Sequence, residues 1–235
     1  MAVINDPNIA GQVEQVGMGA GTVWTPGHQA AGPLSIGTGG AYRLSLSSGT
    51  MAASLAAAAE IFQFRFVTAA SRTCLVHRIK VSASILTLPA ISITVLPGGL
   101  GLNACVARTW SAAGSGGTRG VLTGNNAKLR TSHQTSEVND TGIATTAALT
   151  AGTKTLDTAN FGGVMGNSPG VLTAVGAAGP SFIPSTDLLG DMGLSFPLVL
   201  VNNEGFIIRN SILAFPATMT WSFTVDVAWS EVQSF

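Results

Sequence analysis

From Thr220 to Val232 the chain alternates without a break. Trp221, Phe223, Val225, Val227 and Trp229 take every second position, and Ser222, Thr224, Asp226, Ala228 and Ser230 lie between them. Successive side chains of a strand point to opposite sides of its sheet. One face of this segment is therefore two indoles, a phenyl ring and two valines, and the other is small or polar. A helical step of 100° would scatter the same aromatics around a cylinder. The pattern is that of a half-buried strand in an antiparallel sheet. At roughly 1.5–3 kcal/mol for each side chain of the Val or Phe class, its burial supplies on the order of 10 kcal/mol. Such a ribbon needs further strands with one apolar face to close a core against it.

Several segments answer that need. Pro197 to Val201, a turn over Asn202-Asn203-Glu204-Gly205, and Phe206 to Asn210 read as strand, turn, strand, and as a partner for the last ribbon. Pro216 marks the bend between them, since proline has no N–H to give a central ladder. Phe62, Phe64 and Phe66 share one face of another strand, with Gln63 and Arg65 opposite. In the next strand Leu75, His77, Ile79 and Val81 share a face and Val76, Arg78 and Lys80 lie opposite. The short connection between these two predicts an antiparallel pair, and His77 reads as a hydrogen-bonded core or interface histidine. Ile91 to Leu96 adds another strand, ended by Pro97-Gly98-Gly99, and weaker strand patterns occupy 40–47 and 104–109. Met51 to Ala59 is either a two-turn helix, favoured by its alanines, or an irregular packed loop.

Residues 1–41 carry glycine or proline every few positions and no period. They read as an extended N-terminal arm that wraps its own domain or lies on a neighbour. Val13, Val16, Val23 and Trp24 are its isolated apolar points and its candidate interface residues. Residues 42–235 show no repeat and no internal boundary. The expectation is an all-β protein: one antiparallel β-sandwich, jelly-roll-like, with long Gly/Ala/Thr-rich loops. Its predicted core is Phe62, Phe64, Phe66, Ile79, Val81, Trp221, Phe223, Val225, Val227 and Trp229.

Charged residues are 9% of the chain, against about 25% in an ordinary soluble domain. A surface so poor in charge has little repulsion to keep it free of contacts. The 46% of hydrophobic residues argues against disorder. Net charge is zero but unevenly spread: residues 1–130 hold nine basic and three acidic side chains, and 131–235 hold two basic and eight acidic. Complementary charges meeting between the halves, or between subunits, would account for this. No basic run points to nucleic acid, and no apolar run approaches the roughly 20 residues of a membrane span. Without a signal-peptide pattern at Met1, the chain is expected to be made in a cytoplasm, with Cys74 and Cys105 reduced.

The sequence offers no paired-cysteine or His-Glu-x-x-His metal spacing, no Walker loop, no dinucleotide fingerprint and no nucleophile elbow. Gly17-x-Gly19-x-Gly21 and Gly98-Gly99-x-Gly101 lack the strand-to-helix context of a phosphate cradle and read as turns. His28, His77 and His133 are far apart in the chain. A metal or acid–base site can be drawn from His133, Glu137 and Asp140, but a solvated Thr/Ser-rich loop explains the same residues. The expectation is no enzyme, no cofactor and no metal.

Three blocks carry a resemblance. The first runs from Gly40-Ala41-Tyr42-Arg43 through Ser48-Gly49-Thr50 to Phe62-Gln63-Phe64-Arg65-Phe66. The second is Asn125-Asn126-Ala127-Lys128-Leu129-Arg130-Thr131-Ser132 with Ile143 to Asp157. The third is Pro197-Leu198-Val199-Leu200 to Phe206, ending in Thr220-Trp221-Ser222-Phe223 and Trp229-Ser230-Glu231-Val232. Over most of residues 40–235 the chain resembles a family of tailed-bacteriophage virion structural proteins of the capsid decoration or cement type. The resemblance implies a component of the outer capsid surface, made in the host bacterial cytoplasm. Its partners would be the major capsid protein and itself, as a homo-oligomer (dimer or trimer), with no nucleic acid and no membrane. A tail-associated or receptor-binding β-sandwich module that recognises the host surface is the alternative.

Overall fold

Alternation makes the strands, and the division of each strand between a buried and an open face sets the architecture. The structure is a computed structural model that describes residues 2–4, 14–16, 39–51, 55–69, 72–87, 100–166, 181–190, 196–211 and 219–232. In chain order the strands are β1 (Ala2–Ile4), β2 (Glu14–Val16), β3 (Gly39–Ser47), β4 (Glu60–Phe66), β5 (Thr73–Thr87), β6 (Leu100–Ala112), β7 (Thr118–Arg119), β8 (Val138–Ile143), β9 (Thr153–Gly166), β10 (Ser181–Asp187), β11 (Leu198–Leu200), β12 (Glu204–Asn210) and β13 (Thr220–Val232). No helix occurs among the described residues.

Two antiparallel sheets pack as a β-sandwich. One has the order β10–β5–β13–β3, with β11 also paired to β5, and the other the order β7–β8–β4–β12–β6–β9. Trp221, Phe223, Val225, Val227 and Trp229 of β13 are buried, as are Phe62, Phe64 and Phe66 of β4 and Ile79 and Val81 of β5. They form one core with Tyr42, Leu102, Phe206 and Ile208. At its centre Phe64 stacks on Phe206 at 4.9 Å between ring centroids and meets Trp229 edge-on at 5.3 Å, so the two sheets are joined by aromatic contacts. Sheets stack about 10 Å apart face to face, a gap that side chains of this size fill.

Three expectations about pairing are corrected. Neither β11 nor β12 pairs with β13: β11 joins β5, and β12 lies between β4 and β6 in the opposite sheet. The neighbours of β13 are β5 and β3, which makes it a central strand. Likewise β4 and β5 do not pair, because the chain between them crosses from one sheet to the other. Each has one apolar face, and facing sheets satisfy that pattern as well as a hairpin does. The third correction is a bulge. Ala228 lies opposite Arg78 and Trp229 opposite Val76, so His77 is the extra residue. Val76 and Cys74 therefore join the core, and Leu75 and His77 turn to the other face. Of the stretch Met51 to Ala59, residues 55–59 form a turn and not a helix.

Among the described residues β1 pairs only with β2, Ala2 opposite Val16, in a sheet separate from the sandwich. Val13, Val23, Trp24 and the strand expected at 91–96 lie outside the described residues, and of Val16 only the backbone in β2 is described. β3, the first strand of the sandwich, begins at Gly39.

The uneven charge distribution has a structural counterpart. Every ion pair among the described residues joins the 1–130 part of the chain to the remainder. Arg43 and Arg78 share Asp226, Arg72 faces Glu137 and Glu231, Arg108 holds Asp157 and Glu204, and Arg119 meets Asp140. Lys154 with Glu60 is the same link with the signs exchanged.

Candidate functional site

The most elaborate polar cluster sits where β3 and β5 begin and β13 ends. Glu231 continues the inward positions of β13 two residues past Trp229, which puts a carboxylate in the core; it is fully buried. Its Oε1 accepts from the Ser136 hydroxyl at 2.5 Å, the Glu137 N–H at 3.1 Å and Trp229 Nε1 at 3.2 Å. Arg72 Nη1 lies 3.5 Å from both Glu231 Oε2 and Glu137 Oε1, and its Nη2 donates to Gln134 Oε1. Tyr42 donates its hydroxyl to the Gln134 carbonyl at 2.8 Å and stacks on Trp229 at 5.4 Å. His133 Nδ1 lies 3.1 Å from the Ala41 amide nitrogen.

One guanidinium thus serves two carboxylates. Burial pushes the Glu231 carboxyl above its ordinary range, opposed by the hydrogen bonds from Ser136, Glu137 and Trp229 and by Arg72. Burial also pushes the Tyr42 phenol up, with Glu231 adding to the effect, and raises the Cys74 thiol well above its usual value for the same reasons. The chemistry of this arrangement is that of a clamp. It fixes residues 133–138 against the end of the sandwich.

A second buried group lies on the outer face of the six-stranded sheet. Glu60 Oε2 accepts from Lys154 Nζ at 2.8 Å and Gln63 Nε2 at 2.7 Å, and Gln63 Oε1 accepts from the Gly114 N–H at 3.0 Å. Lys154 Nζ also stands 4.7 Å from the ring centroid of Trp110, a cation–π contact. Trp110 in turn packs on Cys105, Ala107 and Ile207. Those contacts cover part of this face with the chain's own loops, which explains why a sheet between two environments has apolar residues on both sides.

An open depression is lined by Arg108, Thr109, Ser111, Val201, Asn202, Asn203 and Glu204. Arg108 is held by Asp157 at 3.1 Å and Glu204 at 2.6 Å. Asn202 Oδ1 accepts from the Thr68 N–H at 3.1 Å. Two left-handed residues meet here, Thr109 at φ 46° and Asn203 at φ 61°. A β-branched residue in that region is strained by roughly 1–3 kcal/mol. The strain accompanies the break in β6–β9 register between Arg108 and Ala112. It lets the Trp110 N–H reach the Asn203 carbonyl at 2.8 Å while the indole turns beneath the covering loops. The depression offers fixed polar groups to a partner but no nucleophile paired with a base.

The residues from which a metal or acid–base site could be drawn go to separate partners: His133 to Ala41, Glu137 to Arg72 and Asp140 to Arg119. No group of three or more His, Cys, Asp or Glu side chains is placed to hold a metal ion among the described residues. His77 bonds Ser230 Oγ at 2.8 Å on the outer face of the five-stranded sheet. Sequence reasoning missed Arg72, Glu231 and Thr109. Glu231 was open to detection, since the two-residue period of β13 carries it inward, whereas nothing local marks Thr109. No protein-family model matches the chain, and no curated protein or solved structure matches it.

Proposed function

We propose that this chain is a virion structural protein: a capsid decoration or cement protein that binds the outer surface of a phage capsid and stabilises it by clamping neighbouring capsomers. Its partners in this reading are the major capsid protein and further copies of itself. The observation that carries the reading is how little free charge the sandwich presents. Few residues are charged, and the ion pairs among the described residues consume most of them within the subunit. Large apolar side chains meanwhile stand exposed, Phe196 and Met165 among them. A surface of that kind is suited to broad protein contact. The separate β1–β2 pair and the length of chain ahead of β3 fit an arm that reaches beyond the sandwich.

The test removes residues 2–38 and adds the purified protein to shells stripped of the wild type. A truncated form that folds but neither occupies nor stabilises the shells supports the reading; full binding without the arm moves the contact to the sandwich. The open depression beside Thr109 favours a second reading, a tail-associated or receptor-binding module for the host surface. Against it, Tyr42, Trp110, Trp221 and Trp229 are all buried, which leaves no stacking platform of Tyr or Trp among the described residues. Copy number per virion separates the two: hundreds of copies mean shell, and a few to a few tens mean tail.

A further inference from the structure

We propose that the open edge of β11 is a self-association surface, at which a second copy of this chain pairs strand to strand about a two-fold axis centred on Val199. This deepens the reading of the chain as an oligomeric shell component, and it is tested on purified protein with no shell present.

β10 and β11 lie end to end along one side of β5, β10 opposite residues 80–84 and β11 opposite Cys74, Leu75 and Val76. The β10 half is guarded. It contains Pro184, two breaks in register, and Asp187, whose Oδ1 accepts from the Ile79 N–H at 3.3 Å and the Leu189 N–H at 3.1 Å. Proline, bulges and charge are the usual means by which a sheet edge avoids pairing with another chain.

The β11 half is less guarded: Pro197 stands before it, and Glu204 Oε2 accepts from the Val201 N–H at 3.0 Å at its end. From Leu198 to Asn203 there is neither a charged residue nor a proline. Leu200 is buried and Leu198 packs on the core, while Val199 and Val201 alternate outward, 39% and 49% exposed. Phe196 beside them is 72% exposed. β5 takes one side of the β11 backbone, and no described strand pairs with the other.

The charge pattern selects the occupant. In a two-fold antiparallel pair the central residue meets its own copy, so any charge there would face a like charge. The other edge strands of the two sandwich sheets carry charges: Lys154 and Asp157 on β9, Arg43 on β3, Arg119 on β7 and Asp187 on β10. The edge of β3 is also partly closed, because Arg43 N–H bonds Ala127 O and Leu129 N–H bonds Ala41 O. Among the described edges of the two sandwich sheets, β11 alone combines neutrality with exposed valines. A three-residue strand makes few ladder bonds, so the apolar side chains carry the affinity and the association is weak.

The experiment is sedimentation velocity of the full chain over ~1–500 µM, a range suited to a small interface. Val199→Lys and Val199→Glu are run singly and as an equimolar mixture, with thermal melts to establish that both fold. The wild type is expected to dimerise with rising concentration, each variant to associate at least about tenfold more weakly, and the mixture to recover. Val199→Cys, a milder change, should form a covalent dimer under oxidation, and Met165→Cys on the opposite sheet should not. A wild type that stays monomeric throughout overturns the proposal, even if it still binds shells, and so does self-association of both charged variants at wild-type strength. Equal cross-linking of the two cysteine variants overturns it as well.

Discussion

Replacing Trp229 by alanine tests the core where its two halves meet. The indole is buried, stacks on Tyr42 at 5.4 Å, meets Phe64 edge-on at 5.3 Å and donates to Glu231 at 3.2 Å. An aromatic of this size buries about 150–250 Å², which at about 25 cal/mol/Å² amounts to roughly 4–6 kcal/mol. A compact unfolded chain already hides about 10–40% of that area, and the remainder, roughly 2–5 kcal/mol, overlaps the usual ~3–5 kcal/mol cost of emptying an aromatic site. Losing the Nε1–H adds little, since Glu231 keeps its bonds from Ser136 and the Glu137 amide. Trp229→Phe keeps a ring against Tyr42 and Phe64 and should cost about half as much. Ser230→Ala, one position along, removes only the bond to His77 at 2.8 Å, worth about 1 kcal/mol. Urea denaturation with a shared m-value orders the three. A cost for Trp229→Ala below about 2 kcal/mol, or below that of Ser230→Ala, would refute the placement of Trp229 between the sheets.

Other outcomes follow from single sites. Glu231 has a raised folded-state pKa, so the folded state holds its proton to higher pH than the unfolded state does. The stability this group contributes is full below the ordinary glutamate value and falls as pH rises toward the folded value. Glu231→Gln should therefore cost more near that ordinary value than at neutral pH, and equal costs in urea titrations at the two would contradict the burial. A Cβ on Gly205 would lie 2.0 Å from the Phe64 carbonyl oxygen and 2.8 Å from the Trp110 ring, so Gly205→Ala should lower stability by about 3 kcal/mol or prevent folding. Gly124 has φ 66° with nothing within 4 Å, and Gly124→Ala should cost only the ~1–2 kcal/mol of its left-handed backbone; thermal melts compare the two. Cys74 and Cys105 are both buried, and burial raises both thiols, so an aromatic disulfide reagent should label neither until the protein unfolds.

The sandwich was legible because its strands carry a two-residue period strong enough to sort inner from outer side chains. That period is a property of one strand and its environment. It names no neighbour, and so the pairings of β4, β11, β12 and β13 were misread: a strand with one apolar face is satisfied by a partner beside it or by a sheet opposite it. The bulge at His77 was hidden for a related reason. An inserted residue shifts the phase of the pattern, and Leu75-Val76-His77 is apolar enough to be read in either phase. The ion pairs were foreshadowed by the uneven charge of the two chain halves, though not their partners. The Thr109 depression left no trace, because its shape comes from a register break in β6 and a turn about a hundred residues further along the chain.

β13 occupies the middle of its sheet, between β5 and β3, yet β5 ends at Thr87 and β13 begins at Thr220. During synthesis β3 and β5 leave the ribosome with the strand that must separate them still unmade. Asp226, the partner of Arg43 and Arg78, and Glu231, one of the two partners of Arg72, arrive equally late. Closing such distant contacts is slow, and the waiting strands are exposed to misassociation. The same delay makes assembly all-or-none. A product interrupted before Thr220 lacks the strand that joins β3 to β5 in its sheet.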